Sequence, residues 1–142
     1  MQHTSLNPDE ISIYPVLTWK SSEILQLYRA AGWWEMGADT NEIPALIRST
    51  FLFVVAADAE ARAIGMGRLI ADGKSDGYIQ DVVVFPEYRN LGIGSKIVNL
   101  LKNLGRAHGL SWIGLIAAPD KESFYKRAGF ETMEDFTPMK LD

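Results

Sequence analysis

The chain has no cysteine and only two histidines. The first absence excludes a disulfide, a thiolate metal site and an acyl-cysteine intermediate. It also fits a reducing compartment, so the expected location is the cytoplasm. Of the histidines, His3 stands near the start and His108 at the tail of a long helical pattern, so neither makes a good general base. No apolar run reaches the roughly 20 residues of a membrane span, and Met1-Gln2-His3-Thr4-Ser5 has neither the basic nor the apolar segment of a signal peptide. Fourteen Lys and Arg stand against eighteen Asp and Glu, a net charge of −4. Without a basic stripe to neutralise phosphates, nucleic acid is not expected as a main partner, nor is a membrane. The negative balance instead favours a cationic substrate such as an amine through steering. No metal ion is expected, and there is no internal repeat, linker or low-complexity segment.

At 142 residues and 47% hydrophobic, the chain suits one domain, 1–142, with one proper core. Its organising stretch runs from Val82-Val83-Val84 to Ser95. The valines, with Tyr78, Ile79 and Phe85, make an apolar, β-branched run fit for a buried strand. Pro86 ends it, having no N–H for a ladder. Beyond Gly94 the period changes: Ile93, Ile97, Leu100, Leu101 and Leu104 recur at helical spacing, with Ser95, Lys96, Asn99, Lys102 and Asn103 opposite. A strand therefore feeds a short loop that opens a long helix. The first turn of a helix has unpaired N–H groups and a positive dipole end, glycine lets a large anion approach, and Arg89 adds a cation. The loop thus serves either as a diphosphate cradle or as a plain strand-to-helix turn. The dinucleotide fingerprint would need a third glycine where Ile97 stands, and a P-loop would need Gly-Lys-Ser where the chain reads Gly94-Ser95-Lys96.

Around this stretch, Ile11 to Leu17 alternates as a first strand. Ser21 or Ser22 can cap a helix carrying Ile24, Leu25, Leu27, Tyr28 and Ala31, stopped by Gly32. Asn41 to Pro44 starts a second helix. Phe51 to Ala57 and Ala63 to Ala71 read as strands, and Asp72 to Gly77 as a turn. Within the latter strand, Gly65 and Gly67 mark close backbone approach or a bulge. Leu110 to Ala117 is a strand parallel to Val82–Val84, since a helix precedes it. Ser123 to Ala128 is a short helix closed by Gly129, and a last strand is expected near Thr137 to Leu141. The order, β-α-α-β-β-β-α-β-α-β, is an α+β arrangement with an antiparallel first half and one parallel pair.

Arg89-Asn90-Leu91-Gly92-Ile93-Gly94, led in by Val84-Phe85-Pro86-Glu87-Tyr88, resembles the acetyl-CoA loop of the GNAT superfamily of N-acetyltransferases. Phe124-Tyr125-Lys126-Arg127-Ala128-Gly129-Phe130 is similar to that family's Phe-Tyr-x-x-x-Gly-Phe. The resemblance implies the GNAT fold: a mixed, mostly antiparallel sheet whose one parallel pair splays to admit the pantetheine arm, with helices on both faces. It implies acetyl-CoA as co-substrate, held by Val82, Val83, Val84, Arg89, Asn90, Leu91, Gly92, Ile93, Gly94, Ser95, Phe124 and Tyr125. Tyr125 then inherits the part of general acid toward the leaving thiolate, which a phenol of pKa about 10 can play at neutral pH; a core tyrosine with a wet hydroxyl is the plainer reading.

Direct transfer to an amine also needs a base. Asp81, a carboxylate inside the apolar run Tyr78-Ile79-Gln80-Asp81-Val82, must be hydrogen-bonded or raised in pKa, and either state suits proton removal, directly or through water. The alternative is a structural aspartate bonded to loop backbone. Tyr78 and Glu35 are reserves. Trp33 and Trp34, with Met36, stand where GNAT enzymes build an acceptor pocket, with Tyr78 as a further acceptor contact; core filler is the alternative reading for the tryptophans, and the better one for one of the pair. Lys121, Lys126 and Arg127 either meet the ribose phosphate or form a solvated face. Gly65-Met66-Gly67-Arg68, Asp72-Gly73 and Ile79-Gln80-Asp81-Val82 resemble a small bacterial group related to plant arylalkylamine (serotonin-type) N-acetyltransferases. The expected reaction is acetyl transfer to a small, aromatic or apolar primary amine in a ternary complex. Protein or peptide acetylation and a non-catalytic acyl-CoA-binding module stand as alternatives, and a homodimer is compatible with the sequence.

Overall fold

The structure is a computed structural model and describes residues 7–34 and 40–142. Five strands make one sheet in sequence order: β1 Ser12–Pro15, β2 Leu52–Ala57, β3 Ala63–Ala71, β4 Asp76–Val84 and β5 Trp112–Gly114. The first four pair antiparallel, and β5 lies parallel to β4. Helices α1 Ser21–Ala30 and α2 Ile43–Ser49 precede β2; α3 Ile93–Ala107 joins β4 to β5, and α4 Glu122–Arg127 follows β5.

The sheet separates two apolar clusters. On one face Ile24, Leu27 and Tyr28 of α1 and Ile43 and Ile47 of α2 pack on Phe53, Val55, Met66 and Val83. On the other, Ile93, Ile97, Val98 and Leu101 of α3 pack on Val54, Ala56, Leu69, Ile79 and Val84. Alternation along β2 sends Val54 and Val55 to opposite clusters, as a strand buried on both faces requires. Each fully buried Ile or Leu stabilises the fold by about 1.5–3 kcal/mol. The close approach expected of Gly67 is real, because a Cβ there would stand 2.7 Å from Ile97 Cγ2. Gly105 answers it from α3, where a Cβ would meet Leu69 Cδ2 at 2.9 Å.

The bulge is also present, and β4 carries it. Met66 pairs with Val83 but Arg68 with Gln80, so Gly67 faces two residues, Asp81 and Val82. Asp81 adopts φ +57. The extra residue shifts the side-chain parity: Ile79 and Val84 both reach the α3 cluster, while Val83 turns to the α1 cluster.

Several expectations need correction. The strand expected over 110–117 keeps only Trp112–Gly114, pairing with Asp76, Gly77 and Tyr78. A bulge bends and twists its strand, and β5 leaves β4 before reaching it. The strand expected near Thr137 to Leu141 is not formed, and the described residues after α4 hold none. Pro138 supplies no donor, Asp135 turns the chain at φ +67, and Met139 and Leu141 are fully open to solvent. The α1 N-cap is Lys20 rather than a serine, and no side chain caps it. Gly32 does stop that helix at φ +76, and Pro44 sits in the first turn of α2. The chain's Gly-Lys-Ser, Gly73 to Ser75, lies in the β3–β4 hairpin and opens no helix. Asp72 Oδ1 closes that turn by accepting the N–H groups of Lys74 (2.8 Å), Ser75 (2.9 Å) and Asp76 (3.2 Å). Among the described residues no helix is long and apolar enough to cross a membrane.

Candidate active site

The loop between β4 and α3 is built by two left-handed residues, Asn90 at φ +64 and Gly92 at φ +79. Asparagine and glycine are the residues that tolerate this conformation. Gly92 is the N-cap of α3, and no side chain among the described residues caps that end. The N–H groups of the first turn are therefore left for a ligand. A Cβ on Gly92 would meet nothing within 4 Å, so the space above the loop is clear. Gly94 differs: its Cβ would stand 3.3 Å from Phe124 Cζ. Glycine at 94 admits α4 as well as any anion. Arg89, exposed, folds back so that Nε donates to Val84 O at 3.2 Å. Leu91 and Ile93 turn inward to the α3 cluster, and Ser95 lies in the first helical turn.

Beside this loop β4 has a free edge. Its pairing with β5 ends at Tyr78, so residues 79 to 84 have β3 on one side and, among the described residues, no strand on the other. Phe85 N–H donates to Ile64 O at 3.0 Å. By the alternation of an antiparallel ladder, Val84 and Val82 then turn their peptide groups to the open side, whereas Val83 faces β3. Arg89 taking Val84 O agrees with this. A slot bounded by an unpaired strand edge and ending at an uncapped helix suits a long, amide-bearing arm with an anionic end.

On the α1 face, Asp81 is gripped twice. Its Oδ2 accepts from Arg68 Nε at 2.6 Å and from Tyr28 Oη at 2.8 Å. Arg68 also donates through Nη1 to Thr50 Oγ1 at 3.4 Å. Burial first, then the charge and hydrogen bond of Asp81, push the Tyr28 phenol well above its ordinary pKa, so it stays a donor. The expectation of a buried aspartate needs correction: Asp81 is half-buried, its side chain 21% exposed, and it is held by an ion pair with Arg68 and the Tyr28 hydroxyl rather than by loop backbone. Tyr28 and Arg68 were not singled out from sequence. Arg68 beside two glycines in a strand was the one available signal.

Tyr125 sits in α4 with its ring edge-on to Phe124 (4.9 Å) and Phe130 (6.2 Å). Burial raises its pKa above 10, which keeps the hydroxyl protonated. Lys102 of α3 donates to Ala128 O at 2.7 Å and holds the end of α4. Trp34 stacks on Tyr28 at 4.6 Å and packs into the α1 cluster, whereas Trp33 is 47% exposed and edge-on to Tyr28 at 6.2 Å. One tryptophan is therefore core and the other open, with Tyr28 linking both to Asp81. Tyr78 lies apart, stacked with Trp112 at 6.5 Å where β4 and β5 still pair. Glu35 and Met36 fall outside the described residues, as does His3. His108 is the C-cap of α3, its Nδ1 2.7 Å from Leu104 O. Lys126 pairs with Glu122 at 3.1 Å on an exposed face shared with Lys121 and Arg127.

Known proteins fit this geometry. The domain family described as "Acetyltransferase (GNAT) domain" matches residues 49–132, more than half of the chain. The chain is 33% identical over 110 residues to the uncharacterized N-acetyltransferase ycf52 of Pyropia yezoensis, spanning 76% of this chain and 63% of that protein's length. It is also 33% identical over 75 residues to serotonin N-acetyltransferase 2, chloroplastic, of Oryza sativa subsp. japonica, covering 53% of this chain and 38% of that one. The solved GNAT-family acetyltransferase from Streptococcus pneumoniae TIGR4 superposes with a TM-score of 0.76 at 28% identity, over 93% of this chain and 97% of that one.

Proposed function

The chain belongs to the GNAT acetyltransferase family, and we propose on that premise that it moves the acetyl group of acetyl-CoA to the primary amine of a small molecule with an aromatic or apolar body. The observation that carries this reading is the free β4 edge from residue 79 to 84, running into an uncapped helix at Gly92. The pantetheine amides would pair with the peptide groups of Val82 and Val84, and the diphosphate would take the N–H groups of Leu91 to Ser95, with Arg89 alongside. Charge-assisted bonds of that kind contribute roughly 1.5–3 kcal/mol each.

The amine would attack the thioester carbon directly, since no cysteine is available to carry the acetyl group. Negative charge then develops on the carbonyl oxygen, and the Val82 N–H next to the bulge would meet it, an oxyanion-hole arrangement. The C–S bond breaks and Tyr125 gives its proton to the departing sulfur. Asp81 would draw the ammonium in, and its Oδ1 would pass the ammonium proton to water, Oδ2 being taken by Arg68 and Tyr28. With both donors on Oδ2, only Oδ1 is left to handle a proton, and a water relay is the better route.

The exposed Trp33, edge-on to the Tyr28 that bonds Asp81, favours an acceptor with a cationic head and an apolar body. The name of the rice relative, a serotonin N-acetyltransferase, supports the same choice. Release of CoA assayed against arylalkylamines, polyamines, amino sugars and lysine peptides tests the proposal. Turnover with arylalkylamines and none with peptides is expected. Turnover on peptides alone would make it a protein acetyltransferase, and tight acetyl-CoA binding with no turnover a binding module; either contradicts it.

A further inference from the structure

Five described non-glycine residues have positive φ: Ala61, Asp81, Asn90, Asp120 and Asp135. Four of them lie in turns, and Asp81 alone lies inside a strand. An isolated left-handed residue in a ladder persists only where its surroundings hold it. Here the hold is visible. Tyr28 comes from α1, Arg68 from β3 and Asp81 from β4, and both donors close on one oxygen, Oδ2, at 2.8 and 2.6 Å. Tyr28 is 3% exposed and clamped by the stacked Trp34, so its hydroxyl is fixed in place. Arg68 is steadied in turn by Thr50.

The consequence reaches the backbone. The peptide between Asp81 and Val82 is planar, so its orientation follows the dihedrals of Asp81 and Val82. Holding Asp81 left-handed therefore sets where the Val82 N–H points. Without the grip, Asp81 would be free to relax toward the β region, which would undo the bulge and swing that peptide. We propose that Tyr28 and Arg68 are positioning residues, which grip Asp81 Oδ2 to hold the β4 bulge and thereby aim the Val82 N–H into the open edge beside the thioester oxygen. This rests on the reading of that edge as the acetyl-CoA site. It goes further in giving a catalytic consequence to two side chains that need touch neither substrate.

The test uses acetyl-CoA labelled with 13C at the thioester carbonyl, bound to the intact protein without acceptor and observed by difference infrared spectroscopy. In the wild type the carbonyl stretch is expected to move to lower wavenumber than in free acetyl-CoA. In Tyr28→Phe and Arg68→Gln it should move back toward the free value. For both, kcat should fall by about 10-fold to 10³-fold, bounded by the loss of a whole oxyanion donor, with KM for acetyl-CoA within about twofold of wild type. Tyr28→Phe removes a single oxygen from the core, so it carries the test even where Arg68→Gln fails to fold. A wild-type carbonyl shift and kcat retained in Tyr28→Phe would overturn the inference. A wild-type protein that binds acetyl-CoA with no carbonyl shift would instead overturn the oxyanion reading beneath it.

Discussion

Phe124 lies across Gly94 so closely that a Cβ on the glycine would stand 3.3 Å from Cζ and 3.4 Å from Cε2. The helix that bears Tyr125 thus rests on the first turn of the helix that would hold the diphosphate. On the proposed reading, binding and proton donation would be mechanically joined at that contact.

Gly94→Ala separates stability from function at this point. Alanine in place of a helical glycine gains roughly 0.5–1 kcal/mol, against a few tenths of an ångström of displacement at Phe124. The melting temperature should stay close to wild type while kcat falls several-fold, because Phe124 carries Tyr125 with it. Unchanged kcat in initial-rate assays would show that the two helices are not coupled.

Gly92→Val acts through the backbone instead. Nothing stands near its Cβ, but φ +79 is costly for a β-branched residue, by about 1–2 kcal/mol. The loop would relax, the N–H groups of the first turn would diverge, and titration calorimetry should detect no acetyl-CoA binding. Wild-type affinity would rule out the cradle.

Tyr125→Phe should lower kcat by about 10²–10⁴-fold, the range for losing a general acid, with acetyl-CoA affinity nearly kept. Burial raises the pKa of this phenol above 10. The group works protonated, so its contribution is present at lower pH and is lost only as pH rises through that raised value. The wild-type rate should accordingly show no descending limb from Tyr125 below pH about 10, in a pH–rate profile taken with a saturating amine.

Much of this site could be read from residue order, and the unread part has a common cause. Strand–loop–helix geometry at Val82 to Ser95 is local, so period and glycine placement reveal it. Gly65 and Gly67 signal close approach or a bulge; the close approach is found, and the extra residue opposite Gly67 belongs to β4. The grip on Asp81 was not legible, because its donors lie 53 and 13 residues away on other elements. The shortness of β5 follows from the twist of a neighbouring strand, which apolar content at 110–117 does not encode. Nor could apolar residues at Met139 and Leu141 reveal that nothing among the described residues covers them.

Asp81→Asn divides the two parts assigned to that residue. The amide keeps a side-chain oxygen for Tyr28 and Arg68, so the bulge should survive, but the negative charge is gone. Most activity should be lost near neutral pH and partly recovered as pH rises and free amine accumulates. Equal loss at every pH would mean that Asp81 only positions the strand.

The most direct test of the whole account is an amide-resolved NMR titration of 15N-labelled protein with acetyl-CoA. The largest shifts are expected at Leu91 to Ser95 and at Val82 and Val84, with Tyr78 and the β3–β4 hairpin little changed. Shifts confined to other surfaces, with the Val82 and Gly92 amides unmoved at saturation, would contradict it.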